Sequence, residues 1–240
     1  FSAPVDPATI SPADVTLTPL GGAALTPGTV TQVDPLHWQC DFGGAGTGGA
    51  YDLAVGPNIT DVPGSAMDQD GDDTPGEAGD DVFVARLQKT NLTVLPEDSS
   101  LDGQNLVLSG GSHSITGPHQ FTGLALLNGA TLTHAACTTV DTFSLDLTVT
   151  DSILIDATSL INVGSRGYRA GRTSGNTTDG AAQSMSGGGY GGLGKGSGGQ
   201  SNWPYGDPTD PDEPGSGGGD NGPGGGLVRL SCSTFTLDGR

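Results

Sequence analysis

The chain has 240 residues, of which 43 are Gly and 16 Pro, with 27 acidic against 8 basic side chains and a formal net charge of −19. Gly and Pro make up about a quarter of it, close to the level at which unpatterned sequence reads as low-complexity, and that composition excludes a mainly helical protein. The charge disfavours nucleic acid and anionic membrane surfaces, which need clustered Lys or Arg, and makes cations the natural partners.

No apolar run approaches the roughly 20 residues that span a bilayer, so no membrane insertion is expected of this chain. Phe1-Ser-Ala-Pro-Val5 has neither the basic nor the apolar region of a signal peptide, so any targeting segment is expected to lie outside the sequence. Cys40, Cys137 and Cys232 are widely spaced and odd in number. They match no zinc spacing or disulfide framework and are expected to behave as small buried hydrophobes.

Residues 1–87 read as an antiparallel β-domain. Asp14–Thr18, Thr29–Val33, Leu36–Cys40, Ala50–Val55 and Asp81–Leu87 alternate or run apolar for five to seven residues, with Pro and Gly in the gaps. Short strands at this spacing predict a β-sandwich. This third is purely anionic: no Lys or Arg precedes Arg86, whereas thirteen acidic residues do.

Within it, Asp68-Gln-Asp70-Gly-Asp72-Asp73 sets carboxylates at alternate positions, followed by Glu77, Asp80 and Asp81. Calcium takes six to eight oxygen ligands, and a turn of alternating Asp supplies several from one short loop. The loop is no EF-hand, because Asp73 stands where that loop needs Gly and Gly79 where it needs the bidentate Glu. The competing reading is a solvated acidic turn. Calcium is the expected cofactor, held by Asp68, Asp70, Asp72, Asp73, Glu77, Asp80 and Asp81, because that many uncompensated carboxylates repel one another without a cation.

Four segments also follow in order here: Phe1-Ser-Ala-Pro-Val-Asp-Pro-Ala-Thr9, Pro12-Ala-Asp-Val-Thr-Leu17, Tyr51-Asp-Leu-Ala-Val-Gly-Pro-Asn-Ile-Thr-Asp61 and Met67-Asp-Gln-Asp-Gly-Asp-Asp-Thr-Pro-Gly-Glu77. Together they resemble the S-layer-type Ig-like domains of large bacterial surface proteins. The resemblance covers about 87 residues and implies an extracellular, cell-surface location. Such domains carry most of a first strand ahead of the phenylalanine, so the sequence is expected to be a piece of a longer chain, or to have that strand supplied from elsewhere.

Residues 88–163 change character. Asn91–Leu95, Asn105–Leu108, His113–Thr116, Gly123–Leu127, Ala130–Thr133, Phe143–Val149, Ser152–Ile155 and Ser159–Val163 are very short apolar-alternating strands, with Gly, Asn, Asp and Ser at the corners. Many brief strands of this kind predict a β-solenoid, parallel β-helix-like, in which coils stack over a shared core. A second sandwich is the alternative. Asp141, Asp146, Asp151 and Asp156 fall five apart, and in a polysaccharide-cleaving β-helix such carboxylates line a groove; as solvated turn residues they have no such role.

From Gly164 to Gly226, 23 of 63 residues are Gly. This long Gly-rich insertion cannot form an apolar core of its own, and a loop lying over the solenoid is the expectation. Glycine strands of polyproline-II type packed side by side are the ordered alternative, and Tyr168, Tyr190, Trp203 and Tyr205 argue against a plain linker. A strand returns over 227–240. The runs Gly189–Leu193, Tyr205–Pro208, Gly215–Gly219 and Gly224–Leu230, closed by Leu237-Asp-Gly239, resemble Gly-rich insertions in parallel β-helix regions of large secreted bacterial proteins.

His37, His113, His119 and His134 belong to no His-Glu-x-x-His helix or Gly-x-Ser-x-Gly elbow and are expected to be structural or exposed. The sequence-level conclusion is an all-β, non-enzymatic structural or adhesive module of a large secreted surface protein, stiffened by calcium, with glycans, other surface proteins or copies of itself as further partners. The alternatives are a polysaccharide lyase or hydrolase on the β-helix and a self-assembling filament subunit that accepts a donated strand.

Overall fold

A computed structural model describes residues 1–43, 45, 49–196, 199–207, 209–220 and 222–239. Pro208 and Arg240, which belong to the Gly-rich and returning-strand segments defined above, lie outside the described residues. The chain is mostly β, and among the described residues its helical structure is limited to two 3₁₀ turns, Pro12–Asp14 and Ser174–Asn176. It divides into two compact units, Phe1–Thr90 with Asn105–Val107, and Asn91–Gln104 with Leu108–Arg240.

In the first unit, β1 (Val15–Pro19), β4 (Ala50–Val55) and β5 (Phe83–Gln88) pair antiparallel in the order β1-β4-β5, while β2 (Thr29–Gln32) and β3 (Trp38–Asp41) form a separate hairpin. Alternation on β1 buries Val15 and Leu17, and Tyr51 and Ala85 are buried on the neighbouring strands. Val5, Ile10 and Ile59 make a second small core, against which Val30, Trp38, Val55 and Met67 pack. The strand expected from Asp81 starts at Phe83, because the Asp81 side chain is used to close the preceding loop.

The second unit is built from parallel ladders. They involve β6 (Thr93–Val94), β8 (Ser112–Ile115), β9 (Gly117–Phe121), β10 (Gly123–Leu127), β11 (Thr131–Thr133), β12 (Ser144–Val149), β13 (Ser152–Ile155), β14 (Leu160–Ile161), β15 (Leu227–Ser231) and β16 (Thr234–Leu237), while the first three residues of β7 (Asn105–Ser109) belong to the first unit. One sheet runs β14-β11-β8-β6, a second β15-β12-β9, and a third contains β10-β13-β16. Successive triplets, β8-β9-β10, β11-β12-β13 and β14-β15-β16, each give one strand to each sheet. Parallel register stacks like upon like: Leu124 lies beside Ile153, Leu126 beside Ile155 and Val149 beside Phe121, all six at 2% exposure or less.

Two details depart from the sequence-based expectation. Gly117–Phe121, which falls in the gap between the expected strands His113–Thr116 and Gly123–Leu127, is itself a strand, with Gly117, His119 and Phe121 buried. The single strand expected to return over 227–240 breaks at Cys232 and Ser233 into β15 and β16, which join different sheets.

The segment between β14 and β15 has no strand among its described residues, yet backbone hydrogen bonds tie its glycines together. Gly167 and Tyr168 donate to Gly224 and Gly215 at 2.8 and 3.0 Å, Gly219 to Ser186 at 2.9 Å, and Gly224 back to Tyr168 at 2.9 Å. A Cβ on Gly217, Gly219 or Gly224 would fall on the backbone carbonyl of Arg169, Ser184 or Gly215 respectively. The chains approach to distances only glycine allows. Tyr168 is buried in it, and its hydroxyl donates to Glu213 at 2.6 Å. Glu213 also accepts from the Ser174 hydroxyl and the Gly175 amide. Burial alone would raise its carboxyl, but these three donors hold it below its ordinary value.

Candidate metal centre

The acidic loop is shaped by its own side chains. Asp68 accepts from the Gly71 amide at 2.7 Å, Asp70 from Asp72 at 3.2 Å and Asp72 from Thr74 at 2.7 Å, so alternate carboxylates close successive turns, as Asp does where it mimics a backbone turn. Asp73 takes the left-handed backbone, φ 68°, which Asp tolerates better than most residues. The Met67 amide donates to Ile59, and the Gly76 amide to the Met67 carbonyl. Through Met67 the loop is anchored on the Val5–Ile10–Ile59 core. Gly56 lies under that anchor with φ 109°, and a Cβ there would sit 2.9 Å from the Met67 sulfur and 3.1 Å from the Asp81 carbonyl.

Asp81 closes the loop from its far end. It is fully buried, with one carboxylate oxygen accepting from the Gln69 amide at 2.7 Å and the other from the Glu77 amide at 2.8 Å. The Glu77 amide lowers its pKa most, burial opposes this, and the Gln69 and Gly76 amides add to the lowering. With about four lone-pair sites, the carboxylate keeps acceptor capacity beyond these amides.

Asp68, Asp70 and Asp81 bring carboxylate oxygens within 4.8 Å of one another and could hold a metal ion. Asp70 is exposed, yet it is pushed above its ordinary pKa by partial desolvation and by the charges of Asp72, Asp81 and Asp68, against one lowering hydrogen bond from the Asp72 amide. A cation between the three would remove that repulsion. Of the seven carboxylates expected at the site, these three converge. Asp72, Asp73 and Asp80 are exposed, and Glu77 contributes its amide to Asp81. The depth of Asp81 is invisible in the Asp-Asp pair at 80–81, since it depends on two amides four and twelve residues away. Arg86, the first cation along the chain, is occupied by Asp52 at 2.7 Å.

His37 is exposed beside Asp34, while His113, His119 and His134 are buried. His113 meets the Gly110 carbonyl at 2.6 Å, His119 lies between Asp102 and the Thr116 carbonyl at 3.1 Å each, and His134 meets Ala135 at 2.8 Å. Burial lowers the pKa of His113 and His134. Asp156 accepts from the Asn128 amide and from the Thr158 amide and hydroxyl, which outweigh burial and bring it to about 2. Asp141 accepts from the Thr138 hydroxyl. Those two aspartates cap turns. The three cysteines are unbridged; Cys137 is buried, and Cys40 and Cys232 are half-buried, less sheltered than expected.

Compared with protein-family models, curated proteins and solved structures, the chain matches none.

Proposed function

We propose that the chain is a non-enzymatic structural module of a large secreted cell-surface protein, in which calcium held by Asp68, Asp70 and Asp81 stiffens an Ig-like first unit. The second unit is read as a three-faced β-solenoid that extends the molecule and displays surface for adhesion. The observation that carries the proposal is the convergence of three carboxylates on a loop anchored to a core. Oxygen-only ligands suit calcium better than zinc or copper, which favour nitrogen and sulfur. The solenoid reading is supported by the repeated strand triplets and by partner positions 28 or 29 residues apart in three ladders, as in Gly117 with Leu145, Leu124 with Ile153 and Thr131 with Leu160, whereas Ser112 and Thr131 are 19 apart. The resemblance of residues 1–87 to S-layer-type Ig-like domains supplies the surface location.

The test is thermal melting with calcium and with chelator. Extracellular modules bind calcium at about 10⁻⁴ to 10⁻³ M, so about 1 mM calcium should add about 0.4 to 1.4 kcal/mol. Replacing Asp68 and Asp70 by Asn should abolish the difference between calcium and chelator. Melting indifferent to calcium in the unaltered protein would return the loop to a solvated turn. A screen of acidic and neutral polysaccharides should yield no cleavage, and a product lost on substituting Asp146 or Asp151 would replace the structural reading with an enzymatic one.

A further inference from the structure

Trp203 is 64% exposed, although its surroundings hold it firmly. The preceding residue, Asn202, is fully buried; it accepts from the Gly189 amide at 2.7 Å and donates to the Trp203 carbonyl at 2.8 Å. The Trp203 amide donates to the Gly180 carbonyl at 3.3 Å, and Pro204 restricts the chain beyond. One face of the indole lies on Gly180, where a Cβ would stand 3.2, 3.4 and 3.6 Å from three ring carbons. Gly180 has φ 68°, a conformation that disfavours side chains, so this glycine bed is kept open by the backbone itself. The outer side of a large apolar ring is thus presented to water on a fixed support, and the exposed carboxylate of Asp179 belongs to the residue next to that bed.

We propose that Trp203, with Asp179 beside its support, is a docking point for an arginine side chain on a cationic segment of a partner protein. A guanidinium is planar, stacks on a single aromatic face and has donors left over for an exposed carboxylate on the neighbouring backbone. A quaternary ammonium ion favours a cage of several aromatic faces. The tyrosines of this segment are otherwise engaged, Tyr168 being buried and Tyr190 packed edge-on against Tyr205 at 5.1 Å. A net charge of −19 draws cationic segments toward the molecule. A neutral sugar would stack on the indole without using either the charge or Asp179. The proposal is independent of metal binding at the acidic loop.

The experiment titrates the full chain at about 0.15 M salt, where long-range attraction is screened. The probe is an end-blocked peptide of alternating Gly and Arg, compared with its Lys and citrulline counterparts and with a neutral hexasaccharide. Trp38→Phe leaves Trp203 as the sole indole reporter. The Arg peptide should shift its emission, and isothermal titration should show binding weakened about fivefold by Trp203→Ala, in line with one cation–π contact. Asp179→Asn, which leaves the ring in place, should weaken it about twofold to threefold, as for an exposed ion pair. Hydrogen exchange at Gly180 and Gly189 checks that the Ala variant keeps the segment's fold; if it does not, the Asp179 variant and the Arg-to-Lys comparison decide. Equal binding of the Arg and Lys peptides, binding of the citrulline peptide, preference for the hexasaccharide, or no binding at millimolar peptide would each overturn the proposal.

Discussion

Two stretches of the second unit are ordered by opposite means. Between β8 and β14, side chains do the work: Leu126, Leu132, Leu145 and Ile153 are wholly buried, and parallel register sets their kind above one another. Between β14 and β15 the backbones are close because side chains are missing, and hydrogen bonds between glycines replace apolar contact. The first stretch gains from every methylene it buries, about 0.8 kcal/mol each. The second gains only if no methylene is added where chains touch. A sequence can therefore be thin in hydrophobic residues and still specify order, provided that its glycines fall where the backbones meet.

That contrast can be broken by exchanging the chemistry of the two stretches. Leu147→Ala, in the middle of a ladder, should cost about 2 to 5 kcal/mol by chemical denaturation. Gly224→Ala, which adds one carbon, should cost about 3 kcal/mol through forced backbone displacement, whereas Gly192→Ala, with open space around it, should change little. Equal, small effects at both glycines would mean that the segment is not held as described. Glu213→Gln sharpens the point, since it weakens the charged acceptor shared by Tyr168, Ser174 and Gly175. Loss of a charge-assisted bond predicts about 1.5 to 3 kcal/mol, and hydrogen exchange should rise in the glycine stretch first.

The ladders have a pH limit of their own. His113 and His134 are held below their ordinary value near 6.5 by burial, so the unfolded chain takes up protons there before the folded one. Their contribution is complete above pH 6.5 and is lost as pH falls below it. Melting between pH 7 and 5 should fall less steeply in a His113→Gln, His134→Gln variant. Below pH 4 the lowered carboxyls of Asp81 and Asp156 add a further loss, as these groups take up protons more readily unfolded than folded.

Strand content is legible in the sequence because alternation of Leu, Ile and Val is a local signal; Ser152–Ile155 and Gly123–Leu127 have the same bounds by pattern and in the fold. Gly117–Phe121 is not legible, since Gly-Pro reads locally as a turn and only its parallel partner β12 makes it a strand. The acidic loop is legible as a group of carboxylates. Which of them converge depends on Asp81 turning inward to two distant amides, and no local pattern records that. The order of the glycine segment is least legible of all, because its determinant is contact between backbones that composition alone does not encode.

The long excursion between β14 and β15 also bears on the sequence of events in folding. Along the third sheet, Leu124 pairs with Ile153 across 29 residues, but Ile153 pairs with Phe235 across 82. Closing the longer span costs about 0.9 kcal/mol more in chain entropy if the intervening residues are still unstructured, and this difference shrinks if the glycine segment has already condensed. β15 and β16 are thus placed to join last, onto a surface that the earlier triplets have completed, with the glycine segment acting as the gatekeeper of their arrival.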